Sequence, residues 1–276
     1  MYINKIQIAG DYVLVSNYSP RGFGAPSRKR KHKSKETPKA MANYNRHKRA
    51  EKLQLLMLLN FDCGYHITLD YPVDARPQTY EEAEKRLTSF LHKMTRRVGQ
   101  IKKFKYIAIT ERGKYREALH HHMVIEGDPF ILREVTRLWG NHIKISQMYE
   151  DGAYKDLAEY FCKIETKEEQ TKGKSKYHRS RNLKEPTVKS RLVAGGIKDE
   201  PVVPQGYELV NDSVVNGFND FVGIKYQRYM VKKIPKRAQQ NPWTQVEHPK
   251  SDLKGSKRCH IWESIKKLFR KKDRNE

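Results

Sequence analysis

Three consecutive histidines, His120, His121 and His122, are the residues whose types and spacing best suit chemistry. The apolar residues 123–125 that follow them indicate a β-strand. Because successive side chains of a strand point to opposite faces, His120 and His122 share one face, with Cα atoms roughly 7 Å apart. Two imidazoles placed in this way could bind one cation. The same triplet also suits a solvated or hydrogen-bonded patch.

Glu111 could supply a third ligand. It lies nine residues before His120, at the end of another predicted strand. If the two strands form a hairpin, its carboxylate reaches the part of the sheet that holds the histidines. Two nitrogens and one carboxylate oxygen could hold a divalent ion that keeps positions open for a substrate. The alternative interpretation of Glu111 is a charged residue at the edge of a loop.

Tyr160 and Lys163 form a third candidate pair, in a predicted helix from about residue 154 to 165. Residues three apart are neighbours on a helix, so the ammonium of Lys163 could lie beside the phenol of Tyr160 or beside a phosphate attached to it. A nearby cation helps because a free phenol is protonated at neutral pH and is a poor nucleophile. An amphipathic tyrosine without a catalytic role is the alternative. Tyr160 lies at the margin of the predicted apolar stripe, which consists of Tyr154, Leu157, Phe161 and Ile164.

The elements that must position these residues follow the order β, α, β, β, α, β, α. Periodicity predicts strands at 65–69, 104–110, 119–125 and 143–145, and helices at 79–97, 129–139 and about 154–165. This order predicts an α+β domain at residues 45–168, with an antiparallel sheet covered by helices.

Two flanking regions complete the predicted organisation. Residues 1–44 contain a β-hairpin at 3–16, which could form a small arm, and the start of a mobile basic segment at 27–52 whose end becomes helical. Residues 169–276 form a basic C-terminal region of uncertain fold, with some strand-like alternation at 207–233.

The charge of the chain points to a polyanionic partner. The 276 residues include 56 Lys and Arg against 32 Asp and Glu, a formal net charge of +24. For an intracellular chain, the expected polyanion is nucleic acid. No stretch approaches the roughly 20 apolar residues of a spanning helix, which excludes a transmembrane protein and, without a signal peptide, predicts a cytoplasmic location. Three separated cysteines form neither a disulfide framework nor a zinc knuckle.

The strand that contains Thr68, the His-x-His strand and the downstream tyrosine helix together resemble the HUH endonucleases. The resemblance is closest to the rolling-circle replication initiators of Gram-positive plasmids and phages. It covers about the first two thirds of the chain, and the histidine and tyrosine motifs are its most specific parts. The segments that carry it are IAGDYVLV, LLNF, ITLDY, KYIAITERG, LHHHMVIEG, AEYFCKIE and SRNLKEP.

The resemblance implies a role for each candidate residue. It implies that His120 and His122 are metal ligands, that Glu111 is the third ligand, that Tyr160 is the catalytic tyrosine and that Lys163 is the motif lysine. It also implies a five-stranded antiparallel sheet with the histidines on a central strand. His121 departs from the family pattern, which usually has a bulky hydrophobic residue between the histidines, so the identity of the binding imidazoles stays open. Strand alternation favours the outer pair.

The activity that the resemblance implies is metal-assisted nicking of single-stranded origin DNA. Mg²⁺ or Mn²⁺ would assist Tyr160, and the products would be a 5′-phosphotyrosyl enzyme and a free 3′-hydroxyl. The sequence contains no P-loop, since the required glycine would fall at Glu168, so we expect a separate helicase and a host polymerase as partners. Three alternatives stay open: a single-tyrosine transposase of the same superfamily, a non-catalytic nucleic-acid-binding protein, and a zinc hydrolase that leaves Tyr160 and Lys163 unused.

Overall fold

The computed structural model of the chain describes residues 1–20, 39–61, 63–113, 118–148, 151–163, 177–219 and 224–235. These residues divide into two compact units. The hairpin unit comprises the described residues of 1–59, 150–162 and 184–235, and the histidine unit comprises those of 60–149 and 163–183. The predicted domains 1–44, 45–168 and 169–276 are each one continuous segment, whereas each unit combines separate segments of the chain. The predicted division stays a prediction.

The histidine unit is built on a five-stranded sheet in which every neighbouring pair is antiparallel. The strand order is β6-β3-β5-β4-β7, so β5, which carries the three histidines, is the central strand. The predicted α+β class with an antiparallel sheet is confirmed. The strands are β3 Tyr65–Leu69, β4 Tyr106–Arg112, β5 Leu119–Ile125, β6 Ile143–Gln147 and β7 His178–Arg179.

Two helices, α2 Tyr80–Val98 and α3 Pro129–Trp139, pack against one face of this sheet. Strand β3 alternates between buried Tyr65, Ile67 and Leu69 and less buried residues, and its buried side chains join a core with α2 and α3. The Thr79 hydroxyl accepts a hydrogen bond of 3.2 Å from the Glu82 amide, which fixes the start of α2 as the sequence predicts. On β3, burial of alternate residues on one side therefore places His66 and Thr68 on the other face.

The hairpin unit contains a second antiparallel sheet, in the order β10-β11-β2-β1-β8, with β9 paired to β11. The strands are β1 Tyr2–Ala9, β2 Tyr12–Tyr18, β8 Thr187–Val193, β9 Tyr207–Leu209, β10 Val215–Asn219 and β11 Ile224–Lys233. Gly10 has φ +64° and allows the tight turn between β1 and β2. The interpretation of this hairpin as a small arm is wrong, because both of its strands pair with further strands inside the sheet.

Two helices complete the hairpin unit, α1 Lys39–Asn60 and α4 Lys155–Lys163. Buried Leu55 of α1 packs against Leu14 of β2 and Met230 of β11. The basic residues 27–38, residues 164–176 and residues 236–276 lie outside the described part of the chain. Among the described helices, none is long and apolar enough to cross a membrane.

Candidate metal centre and catalytic residues

The hairpin of β4 and β5 brings Glu111 to the histidines. In its register Glu111 lies directly opposite His120, and Ile109 lies opposite His122. Residues that face each other across an antiparallel pair project to the same side of the sheet. The carboxylate and the two outer imidazoles therefore lie on one face, as strand alternation predicts.

The ligand atoms of these three residues converge. The Nε2 atoms of His120 and His122 are 3.0 Å apart, and the Glu111 Oε2 lies 3.1 Å from His122 Nε2 and 3.9 Å from His120 Nε2. Among the described residues, the ligand atoms of Glu111, His120 and His122 lie close enough together to hold a metal ion. The side chains are 9–18% exposed, so the group is sheltered but open to a substrate.

The Nδ1 atoms of His120 and His122 have hydrogen-bond partners that can fix the tautomer of each ring. His120 Nδ1 lies 3.2 Å from the Ala118 carbonyl oxygen, which can only accept, so this nitrogen carries the proton. His122 Nδ1 lies 3.2 Å from His66 Nε2 and 3.3 Å from the Thr68 hydroxyl. Burial, followed by repulsion from His122, lowers the pKa of His66 to about 4, so His66 is neutral and can accept a hydrogen bond.

The donor set fits a divalent cation. With Nδ1 protonated, each imidazole presents its Nε2 lone pair to the space beside the Glu111 carboxylate. Two neutral nitrogens and one carboxylate oxygen suit a three-residue site with open positions.

His121 points to the opposite face, where it is fully buried. Its Nε2 accepts from the Tyr71 hydroxyl at 2.6 Å, and its Nδ1 donates to the Thr110 hydroxyl at 2.9 Å. The Thr110 hydroxyl donates in turn to Glu84, which also accepts from His178 Nε2 at 2.5 Å. Burial lowers the pKa of His121 to about 3, so it serves as a neutral link in this chain of hydrogen bonds. The position between the two outer histidines is therefore structural.

Replacing His121 by alanine should lower stability without weakening metal binding. The change leaves the half-buried Tyr71 hydroxyl and the buried Thr110 hydroxyl without this partner, which should cost about 2 kcal/mol of unfolding free energy. Thermal unfolding and Mn²⁺ titration of the variant measure the two effects. The matched control is His92→Ala, on the exposed side of α2. A loss of Mn²⁺ affinity in His121→Ala as large as that in His122→Ala would show that the middle histidine is a ligand.

Tyr160 lies in α4 and is partly exposed, outside the buried stripe of that helix. The composition of the predicted stripe is partly wrong, because Leu157 is half-buried whereas Ala158 and Cys162 are fully buried. Tyr154 precedes the α-helix, so it does not share a helical face with Phe161. Tyr154 has φ +58° and ends a 3₁₀ turn, Asp151–Tyr154, so the α-helix begins one residue later than predicted. Ile164 lies outside the described residues.

Cys162 is a poor rival to Tyr160 as a nucleophile. It is only 2% exposed, and burial raises the pKa of its thiol to about 11. A buried, protonated thiol cannot reach a phosphate in solution. Tyr160, which is partly exposed, is the better candidate on α4.

Lys163 is the last residue of α4, and its side chain lies outside the described residues. Tyr160 belongs to the hairpin unit, whereas Glu111, His120 and His122 belong to the histidine unit. The assignment of Tyr160, Lys163 and the metal group to one active site is therefore a proposal that rests on the motif resemblance.

One comparison with known proteins gives a match. Residues 64–178 match the model of a family of replication-associated proteins, the ORF2 family. The matched segment covers less than half of the chain, yet it includes all five candidate residues: Glu111, His120, His122, Tyr160 and Lys163. No curated protein and no solved structure gives a significant match to the chain.

Proposed function

We propose that this chain is a replication initiator of the HUH class that nicks single-stranded origin DNA. The single observation that carries the proposal is the convergence of Glu111, His120 and His122 on the central strand, within the segment that matches a replication-associated family. A non-catalytic nucleic-acid-binding protein could bind through the charge of the chain without needing these three ligands.

Glu111, His120 and His122 would hold Mg²⁺ or Mn²⁺, with the two Nε2 atoms and the carboxylate as ligands. When bound, the cation supplies Lewis-acid polarisation of a phosphate oxygen. The hydrogen bonds at the Nδ1 atoms keep the imidazoles oriented toward the ligand space. The paired strands β4 and β5 would thus hold the three ligands, and the cation between them, beside the scissile phosphate.

Tyr160 would act as the nucleophile. Its phenolic oxygen forms a bond to phosphorus while the bond from phosphorus to the 3′ oxygen breaks, and the phenolic proton is balanced by the proton that the departing 3′ oxygen takes up. The products are a 5′-phosphotyrosyl linkage and a free 3′-hydroxyl. Lys163, three residues later, would compensate charge on the intermediate. Because the linkage preserves the energy of the phosphodiester, the reverse step can rejoin strands.

The proposal includes two partners. The free 3′-hydroxyl is the end that a polymerase extends, and a host polymerase would use it. The sequence carries no P-loop for ATP-driven strand separation, so a separate helicase would supply single strands.

The test of this function examines both ends of the cleaved strand. The protein is incubated with Mn²⁺ and a random-sequence pool of single-stranded DNA. We expect the new 3′ ends to be extended by a polymerase, and the new 5′ ends to stay covalently attached to the protein after denaturation and to keep a tyrosine peptide on the 5′ phosphate after digestion. Free 5′-phosphate ends would indicate hydrolysis by activated water and would favour a metal-dependent hydrolase instead.

Binding of single-stranded DNA should weaken steeply as salt rises, because the excess of 24 positive charges favours phosphate contacts that release counterions. We expect at least an approximately tenfold increase in Kd between 50 and 200 mM salt. Fluorescence anisotropy with an oligonucleotide measures this, and an oligomer of the same bases on an uncharged backbone is the control. Equal salt dependence for the two oligomers would remove the phosphate backbone as the main binding determinant.

A further inference from the structure

We propose that His66 is a positioning residue of the metal centre: its Nε2 accepts the Nδ1 proton of His122 and so directs the Nε2 lone pair of His122 toward the ligand space. The inference deepens the proposed function and rests on it. The two ring nitrogens lie 3.2 Å apart, the ring centroids lie 5.2 Å apart, and the ring planes are inclined by 23°.

The number of protons on a neutral imidazole decides which nitrogen of His122 can donate a hydrogen bond. A neutral imidazole has one N–H, and a metal ligand must keep the lone pair of the coordinating nitrogen free. The Nε2 of His122 is the nitrogen that faces Glu111 and His120, at 3.1 and 3.0 Å. The proton must therefore be on Nδ1, and a proton on that nitrogen needs an acceptor in this sheltered position.

Among the described residues, both His66 and Thr68 place an acceptor within reach of that proton. Thr68 lies directly opposite His122 in the register of β3 and β5, and its hydroxyl is 3.3 Å from His122 Nδ1. His66 lies two residues earlier on β3, on the same face as Thr68. A threonine hydroxyl can donate as readily as it accepts, whereas the Nε2 of a His66 protonated on Nδ1 only accepts. His66 is therefore the partner that selects one tautomer of His122.

The position of His66 is itself fixed. Strand β3 lies between β5 and β6, and His66 pairs with Val124 on one side and Ser146 on the other. The neighbouring Tyr65 and Ile67 are buried in the core on the opposite face. A backbone held from both sides lets the imidazole of His66 orient the ring of His122, and the carbonyl of Ala118 does the same for His120 at 3.2 Å.

The test measures metal affinity instead of cleavage. Mn²⁺ is titrated calorimetrically into the full chain, and unfolding temperatures are recorded for each variant. His66→Leu keeps bulk but removes the acceptor, and we expect Mn²⁺ affinity about tenfold weaker. His66→Gln offers an amide oxygen as acceptor and should restore affinity to within about threefold of the starting protein. Adding Thr68→Val to His66→Leu should weaken binding about a hundredfold.

His92→Leu on the exposed side of α2 is the matched control, and it should leave affinity unchanged. Affinity in folded His66→Leu equal to that of the starting protein would overturn the positioning role, and so would His66→Gln binding as weakly as His66→Leu. Mn²⁺ binding by the starting protein without DNA cleavage would contradict the proposed function while leaving this affinity series to decide the role of His66. Absence of Mn²⁺ binding by the starting protein would overturn both.

Discussion

Replacing Tyr160 by phenylalanine is expected to abolish DNA cleavage and to leave folding and DNA binding intact. The change removes only the phenolic oxygen, the atom that would attack phosphorus, and keeps the ring at the margin of α4. Loss of a covalent nucleophile should reduce the rate by at least about a thousandfold. The measurement is the cleavage rate of labelled single-stranded DNA in Mn²⁺, with anisotropy to confirm binding.

Tyr154→Phe is the matched control, since it makes the same chemical change six residues earlier in the chain. Tyr154 is 5% exposed and lies in the turn before α4, packed into the hairpin unit, so it cannot approach a DNA strand. Its loss should leave the cleavage rate within about threefold of the starting protein, because it changes packing only slightly. Cleavage that persists in Tyr160→Phe would refute the assignment of the nucleophile.

The second large effect concerns the proposed metal ligands. Replacing both His120 and His122 by alanine leaves Glu111 as the single remaining member of the group, which should abolish detectable Mn²⁺ binding and metal-dependent cleavage. We expect cleavage to fall by at least about a thousandfold while DNA affinity changes by less than about threefold. Affinity should survive because phosphate contacts come from distributed Lys and Arg side chains.

The control for the double variant is Glu134→Gln on α3, a side chain held by Arg97 and Arg137 away from the ligand group. It changes one carboxylate without touching the metal site, so Mn²⁺ binding should stay unchanged. If the double histidine variant still cleaved DNA in Mn²⁺ at the original rate, the metal centre would lie elsewhere.

Strand alternation was sufficient to predict that Glu111, His120 and His122 converge, because they lie on two strands joined by one hairpin. The bounds of β5 and α3 agree with the sequence prediction, since a clear apolar pattern marks both. The predicted strand at 104–110 begins at Tyr106 instead and continues to Arg112, because Glu111 and Arg112 pair with His120 and Leu119. The pairing with β5 extends β4 into charged residues. A hydrophobicity pattern does not reveal this pairing.

The residues that sequence analysis missed act across strands that are distant in sequence. His66 reaches His122 from β3, 56 residues earlier, and Glu84 reaches Thr110 from α2. The polar alternation of His66 with Thr68 was the available signal on β3, but it did not identify a partner. Strand β7 gave no periodic signal because it has only two residues, and it exists through its pairing with β4. Such contacts depend on the order of the strands in the sheet, and the local pattern of apolar residues does not specify that order.

The most direct test of the central claim locates the covalent bond between the chain and DNA. The full chain is incubated with Mn²⁺ and random-sequence single-stranded DNA, denatured and digested, and nucleotide-bearing peptides are identified by mass spectrometry. The account predicts a metal-dependent adduct on the peptide that contains Tyr160, joined through a 5′ phosphate. An adduct on a different tyrosine would contradict the site, and cleavage without any adduct would contradict the mechanism.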